Sequence, residues 1–190
     1  TNATATQQPQ IVLSGALITR NGFVSVKYDG SNDNLNNFTS AFINSTDVSY
    51  FSVAQNDVSG GIGTISSQSN STTITIRNFL DRGTGKNHLS IGNGTTTFKA
   101  LNPIQLDNAN LRLQSSFVTT GKLMSCFANG DAGTTDTYTG TTNNDGLYLG
   151  QQQGLTYLNG SINCFGAYNT DNSANRVAIE TIINNYYSIY

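Results

Sequence analysis

The sequence predicts an all-β sandwich with one helix at its C-terminal end. Asn, Thr, Ser and Gly are abundant and only 11% of the 190 residues are charged, so the residues that favour helices are scarce. Short apolar segments recur between turn-forming clusters, and several alternate with polar residues, which is typical of half-buried strands. Only the last segment spaces its apolar residues as a helix does.

Two β-segments open the chain at 11–19 and 22–28. The pair Asn21-Gly22 lies between them and favours a tight turn. A polar turn cluster follows at 29–37 and a Gly-rich turn at 59–63. The remaining predicted strands cover residues 48–55, 64–76, 88–91, 95–100, 110–118, 122–127, 147–149 and 162–168. Residues 131–145, rich in Gly, Thr and Asn, are predicted to form a loop or an irregular hairpin.

The C-terminal segment is predicted as one helix over about 173–187, laid on the sandwich, with Ser173 as its N-cap. Its apolar residues recur at helical spacing, three or four apart: Val177, Ile179, Ile182, Ile183 and Tyr186. The same spacing predicts that Arg176 and Glu180 lie on the solvent side.

The length and composition predict one domain over 1–190, since no internal repeat or linker interrupts the strands. A net charge of -2 offers no electrostatic attraction for nucleic acid or for an anionic membrane. No segment reaches the roughly 18 apolar residues of a membrane span, so no membrane insertion is expected. The sequence begins with Thr1 rather than Met, and we expect it to be an excerpt of a longer chain.

Two groups of motifs stand at the ends of the chain. The opening group comprises Gln7, Gln8, Pro9, Ile11, Val12, Asn21, Gly22, Asp29, Gly30, Ser31, Asp33 and Leu35. The closing group comprises Leu149, Gly150, Asn159, Gly160, Ile162, Tyr168, Asn169 and the segment 173–190. In this order they resemble laminin-G-like domains of bacteriophage structural proteins and of bacterial secreted proteins.

The resemblance implies a concanavalin A/laminin-G-like jelly-roll β-sandwich that serves surface recognition or virion assembly. Members of that family carry a further strand before the Gln-rich segment, and this sequence begins after that point. A sandwich without that strand would expose backbone groups of an edge, which is an opening for strand exchange or assembly.

A carbohydrate site is one candidate function of the loops. Sugar sites combine a flat aromatic ring with amide and carboxylate groups that form hydrogen bonds. Residues of these types that lie near predicted loops are Tyr138, Asn143, Asn144, Asp145, Tyr148 and Tyr157. The alternative is that the tyrosines close strand ends with their hydroxyl groups in water.

A calcium site is the second candidate. Calcium takes oxygen ligands from carboxylates, amides and backbone carbonyls in loops, and Asp29, Asn32, Asp33 and Asn34 cluster in one turn. Laminin-G and lectin-type relatives often hold calcium at such a rim. The alternative is that this cluster is simply a stable turn. Calcium is therefore the only cofactor that the sequence suggests.

No catalytic residues are predicted. Glycoside hydrolysis needs two carboxyl groups flanking the scissile bond, whereas Glu180 is the only Glu and the Asp residues fall mostly in turns. His88 is the only histidine and has no recognisable triad or metal partners nearby in sequence. Cys126 and Cys164 are predicted to be free thiols in strands, with a disulfide as the alternative.

These observations favour a non-catalytic virion structural or host-attachment module on the virion surface. Its expected partners are other virion proteins, copies of itself, or a host surface glycan, but not nucleic acid. The alternative is a carbohydrate-binding adhesin domain, secreted by a bacterium or held on its cell surface. A polysaccharide-active glycosidase is the third hypothesis.

Overall fold

The computed structural model describes residues 4–38, 47–69, 74–92, 96–102, 110–139, 146–152 and 156–190. The strands in chain order are β1 (Val12–Leu13), β2 (Ala16–Leu17), β3 (Thr19–Arg20), β4 (Phe23–Val24), β5 (Val26–Asp29), β6 (Leu35–Phe38), β7 (Val48–Asn56), β8 (Ile62–Ser69), β9 (Ile74–Asp81), β10 (Lys86–Gly92), β11 (Thr97–Asn102), β12 (Arg112–Thr119), β13 (Leu123–Ala128), β14 (Asp131–Thr137), β15 (Leu147–Leu149), β16 (Gln151–Gln152), β17 (Thr156–Tyr157) and β18 (Asn159–Tyr168). The helix α1 (Arg176–Tyr187) follows them. The predicted all-β class with a C-terminal helix is confirmed.

Two six-stranded sheets form the sandwich. The first sheet has the strand order β14-β13-β12-β7-β18-β5, and the second has the order β11-β10-β9-β8-β15-β6. Neighbouring strands run antiparallel in both sheets. The last strand of the chain lies among early ones in the first sheet, because β18 is placed between β5 and β7. Three short hairpins, β1–β2, β3–β4 and β16–β17, lie outside these sheets.

The core lies between the two sheets because each strand turns alternate side chains inward. Along β9, Ile76 and Leu80 are buried in the core. Tyr50 of the first sheet packs in the same cluster as Ile76. Burying one such apolar side chain contributes roughly 1.5–3 kcal/mol. The residues between them, Arg77 and Phe79, therefore point to the other side of the second sheet.

A polar stripe crosses this core. The Tyr50 hydroxyl donates to Gln68 Oε1 at 2.8 Å, and Asn78 Nδ2 donates to Ser66 Oγ at 3.1 Å. Gln114 Nε2 donates to the His88 carbonyl at 3.1 Å and so links the two sheets directly. Buried hydrogen bonds of this kind are costly to break, so they fix the register of one sheet over the other.

The helix forms where it is predicted, but two details differ. A 3-10 turn, Ser173–Asn175, precedes it, and α1 begins at Arg176 without a side-chain cap. The prediction that Glu180 lies on the solvent side is wrong, because Glu180 is 3% exposed while Ile182 is 70% exposed. Arg176 is also half-buried rather than solvent-facing. Both polar side chains face the first sheet because it offers them polar partners.

The N-terminal segment also differs from its prediction. The Asn21-Gly22 turn forms as predicted and joins β3 to β4. Its two residues have φ of 49° and 81°. Residues 11–19 are not one strand, because Ser14 and Gly15, with φ of 53° and 81°, form a second tight turn. Positive φ at both central residues suits two-residue hairpins.

One later prediction is also corrected, because residues 64–76 are divided between β8 and β9, which pair as a hairpin. Residues 131–137 form β14, which pairs with β13 with a register shift between Ser125 and Phe127, as the irregular-hairpin alternative has it. Side chains of β14 connect the edges of the two sheets. The Lys99 N–H of β11 donates to Asp136 Oδ2 at 2.9 Å, and the Leu101 N–H donates to Thr134 Oγ1 at 3.0 Å. These bonds cover an edge that would otherwise be open to pairing.

Both cysteines are free thiols. Cys126 lies in the core between the sheets, and Cys164 lies in a cluster with helix residues on the other face of the first sheet. Two strands, β12 and β7, separate them. Burial raises the pKa of Cys126 to about 12. No described helix is long and apolar enough to cross a membrane.

Candidate functional site

The outer face of the second sheet, which is turned away from the core, carries an ordered set of polar and aromatic side chains. Paired residues of neighbouring strands lie on the same face of a sheet. Following the pairing from β11 to β15 gives one row across five strands: Lys99, Ser90, Arg77, Ser67 and Tyr148. A second row lies beside it: Leu101, His88, Phe79 and Thr64.

Arg77 lies at the centre of this outer face, and two neighbours hold its guanidinium. Its Cζ atom is 4.1 Å from the centre of the Phe79 ring. Its Nη1 donates a short hydrogen bond to Gln152 Oε1. The His88 ring stacks on Phe79 at 4.3 Å. A guanidinium held in place loses less conformational freedom when it binds a partner.

The hairpin β16–β17 brings Gln152 to Arg77. Ser67 Oγ donates to the Gln151 carbonyl at 2.8 Å, and the hydroxyls of Thr64 and Thr156 lie 2.8 Å apart. Thr156 Oγ1 also donates to Gln152 Oε1 at 3.3 Å. These bonds fix the hairpin on β8, so the Gln152 amide is positioned by the fold rather than by chance contact.

Positive charge dominates the outer face. Arg77, Lys86 and Lys99 all lie close enough to His88 to act on its charge. Asp81 is a counter-charge on this face: its Oδ2 lies 3.7 Å from His88 Nε2, and its charge acts on Arg77. Its carboxylate is already engaged by its own turn, where it accepts from the N–H groups of Gly83 and Thr84 and from the Thr84 hydroxyl.

Several polar atoms of the outer face are buried and have no hydrogen-bond partner in the part of the chain that the structure describes. These atoms are Arg77 Nε, Ser90 Oγ and both ring nitrogens of His88. An unpaired buried polar atom costs about 1–3 kcal/mol. Polar residues that lower stability in this way, grouped on one face, are a feature of functional sites.

His88 gives the outer face a specific pH response. Burial, helped by the three neighbouring cations and opposed by the attraction of Asp81, lowers its pKa to about 4. The unfolded chain has an ordinary histidine pKa near 6.5 and therefore binds the proton more tightly. The stability contributed by neutral His88 is thus present above about pH 6.5 and is lost as the pH falls towards 4.

We expect His88→Phe to reduce the loss of stability between pH 6.5 and pH 4, because phenylalanine keeps the stack on Phe79 but does not titrate. The measurement is the free energy of unfolding in urea at several pH values. Wild type should lose up to a few kcal/mol more than the variant over this range. Identical pH profiles for both proteins would contradict the assignment.

The sequence-predicted sugar residues are not brought together as one set. Tyr148 lies in the first row of the outer face, half-buried beside Ser67. Tyr157 lies in β17, where it pairs with Gln151. Tyr138 is 3% exposed and packs in the core, so its ring does not face solvent. Asn143, Asn144 and Asp145 lie outside the described residues.

The sequence-predicted calcium residues form a closed turn. Asp29 Oδ1 accepts from the N–H groups of Ser31, Asn32 and Asp33, and Asp33 Oδ2 accepts from the Asp29 N–H at 2.9 Å. Burial opposes ionisation of Asp29, but these backbone bonds bring its pKa below the ordinary value. Burial and the neighbouring Asp29 charge raise the pKa of Asp33.

The turn has two features that suit a metal ion. The amide oxygens Asn32 Oδ1 and Asn34 Oδ1 are buried without partners. Asp29 and Asp33 line a cavity of ≈ 270 Å³ together with Lys27. However, within the described ranges no three His, Cys, Asp or Glu side chains converge as metal ligands. Calcium at this turn stays a prediction.

Sequence reasoning did not find Arg77, Lys99 or Gln152. The available signal was the alternation from Ile76 to Asp81, where each apolar residue that points inward is followed by a residue that points outward. Reading 64–76 as one strand hid that alternation. Nothing local indicates that Gln152 meets Arg77, since 75 residues separate them.

Similarity to known proteins was found only at the level of structure. No protein-family model matches the chain, and no curated protein matches it. The CBM40 domain of a Ruminococcus gnavus IT-sialidase, bound to α2,3-sialyllactose, is 14% identical, with a TM-score of 0.67 over 82% of this chain and 96% of that one. A heptameric SAP-like pentraxin from Limulus polyphemus is 13% identical, with a TM-score of 0.65 over 84% and 82%.

A Streptococcus pneumoniae NanB sialidase is also similar, at 17% identity and a TM-score of 0.63, over 80% of this chain but 26% of the sialidase. At these identities the likeness concerns the fold. The architecture is therefore a jelly-roll β-sandwich of the concanavalin A type, as the motif resemblance implies. The functions of these proteins do not transfer with it.

Proposed function

We propose that the chain is a non-catalytic module that binds glycans through the outer face of the second sheet. The observation that carries this proposal is the row in which Tyr148, Ser67, Arg77 and Ser90 lie side by side. It offers the half-buried aromatic ring of Tyr148 and a positioned guanidinium, which are groups that orient a sugar. The likeness to a carbohydrate-binding module crystallised with sialyllactose supports it.

A catalytic role is less consistent with this face. Hydrolysis of a glycosidic bond uses two carboxyl groups on either side of the bond. The two rows traced by the strand pairing contain no carboxylate, and Asp81, which pairs with Lys86 beside them, accepts from Gly83 and Thr84. A residue locked into its own turn is poorly placed to act as nucleophile or acid.

In its finer form, the proposal is a host-attachment module on the surface of a virion. The resemblance to laminin-G-like domains of bacteriophage structural proteins supports this form, and so does the surface rich in Asn, Thr and Gly. A bacterial secreted or cell-surface adhesin is the alternative. Mass spectrometry of purified virions distinguishes them, since absence of the chain from every particle would exclude the viral form.

A glycan array tests the binding proposal. Wild type is expected to bind a defined set of glycans. Tyr148→Ala is expected to lower the affinity for these glycans by about tenfold, because one aromatic contact is lost. Tyr186→Ala is the matched control, because Tyr186 is an exposed ring on α1, across the first sheet from this face. Equal loss in both variants, or no retained glycan, would contradict the proposal.

The array is run with calcium and again with EDTA. Loss of binding to the same glycans in EDTA would support a metal ion at the turn of Asp29 and Asp33. Unchanged binding in EDTA would show that the outer face recognises its ligand without a metal.

A further inference from the structure

We infer that the ligand of the outer face is an acidic glycan, whose anionic group contacts Arg77 and whose negative charge is attracted by Lys86 and Lys99. This inference rests on the proposed function and adds the chemical class of the ligand. It follows from the charges of this face, from the ion pairs that cations make elsewhere, and from the position of Arg77 between Phe79 and Gln152.

Three cations elsewhere in the structure are paired with carboxylates. Arg20 and Lys27 are both paired with Asp57, at 3.2 Å and 2.5 Å. Arg176 is paired with Glu180. In each of these pairs a carboxylate of the chain itself neutralises the cation.

Within the described ranges, Arg77, Lys86 and Lys99 make no ion pair with an Asp or Glu side chain. Asp81 is committed to its turn, and Asp136 accepts from the backbone N–H of Lys99 at the sheet edge. Three cations thus share one face of a chain whose net charge is -2. A ligand that brings its own negative charge would satisfy them.

The surroundings of Arg77 favour an anion over a neutral hydroxyl group. Burial lowers the pKa of Arg77, which means that its charge is partly removed from water. A charge in a drier setting interacts more strongly with an opposite charge. Gln152 and Phe79 hold the guanidinium in place, and the guanidinium plane matches the planar geometry of a carboxylate.

The rest of the row suits the sugar that carries the anion. Tyr148 lies two strands from Arg77, with the small side chain of Ser67 between them. A pyranose ring could therefore pack on Tyr148 while its acidic group reaches Arg77. Lys99 lies two strands away on the other side and extends the positive charge along a longer chain.

Binding of matched polysaccharides tests this inference. A carboxylate arm compares oligogalacturonate with its methyl-esterified form, and a sulfate arm compares dextran sulfate with dextran. Isothermal titration at low and at physiological salt gives the affinities. We expect an acidic form to bind at least about tenfold more tightly than its neutral counterpart, as for one charge-assisted hydrogen bond, and to weaken with salt.

Three variants locate the contact. Arg77→Gln should remove most of the preference for the acidic form, Arg77→Lys should keep part of it, and Lys99→Gln should reduce it a few-fold. Lys122→Gln is the control of equal charge change, because Lys122 lies in the turn between β12 and β13 of the first sheet. Thermal unfolding of each variant confirms that it is folded.

The outcomes are distinct. Preference for carboxylate alone, for sulfate alone or for both supports the inference and identifies the anion. Equal binding of acidic and neutral forms, or an unchanged preference in Arg77→Gln, overturns it while the glycan-binding proposal stands. Absence of binding to these and to every arrayed glycan overturns both.

Discussion

Gly160→Ala is expected to destabilise the protein by roughly 3 kcal/mol or more, at the upper end of overpacking effects. Gly160 lies in β18, where it pairs with Asn56 of β7 on one side and Tyr28 of β5 on the other. A Cβ atom at this position would overlap the Gln55 carbonyl oxygen and would lie 3.1 Å from the Asn56 Cα atom. The backbone of β7 cannot move aside without breaking the centre of the first sheet.

Gly166→Ala is the matched control because Gly166 belongs to the same strand. Its added Cβ would meet Tyr168 at 3.6 Å, an ordinary contact. We expect its stability to stay within about 1 kcal/mol of wild type. Urea unfolding of both variants measures the difference. Similar stabilities of the two variants would mean that β18 and β7 are further apart at Gly160 than the structure has them.

The second large effect is expected from Glu180→Ala. Glu180 is on the face of α1 that meets the first sheet. Its carboxylate accepts hydrogen bonds from Ser115 Oγ and from Arg176 Nη1. Arg176 also lies over the Phe127 ring at 4.1 Å. Removing the carboxylate leaves a largely buried guanidinium without its counter-charge, which costs about 3 kcal/mol.

Asn185→Ala controls for the change in α1 itself, since Asn185 is an exposed residue of the same helix. It should shift the unfolding midpoint very little. Glu180→Gln separates charge from shape, because the amide fills the same space and still accepts from Ser115. We expect the stability of Glu180→Gln to lie between those of wild type and Glu180→Ala. If Glu180→Ala unfolds at the same urea concentration as wild type, the buried pair does not hold α1 on the sheet.

The fold was largely predictable from local patterns. Alternating segments such as 48–55 and the helical spacing after Ser173 reflect constraints that act within a few residues. The Asn21-Gly22 turn was equally readable, because its backbone conformation requires those residue types. Segment boundaries were less accurate, as at Ser14-Gly15, where an apolar run hid a turn.

The orientation of α1 could not be predicted. Helical spacing shows which residues share a face but not which face meets the sheet. Of the predicted apolar residues, Ile183 packs on the first sheet, whereas Val177, Ile182 and Tyr186 are exposed. Glu180, predicted to face solvent, is buried instead. The reason is Ser115, a polar residue 65 positions away that accommodates the carboxylate.

The candidate site was predictable only in type. Sequence reasoning favoured an aromatic and amide-rich sugar site and placed Tyr148 in it, but it did not include Arg77. Arg77, Lys99 and Tyr148 come from three segments of the chain, and only strand pairing sets them in one row. The charge of that row is invisible in a composition whose net value is -2.

The sequence by itself determined the all-β class, the C-terminal helix and the main turns, since hydrophobic period and turn chemistry are local properties. Tertiary structure decided the register of each sheet, the burial of Glu180 and the grouping of Arg77 with Gln152, Lys99 and Tyr148. Those features depend on contacts between residues far apart in the chain. Their energies come from partners that no local pattern specifies.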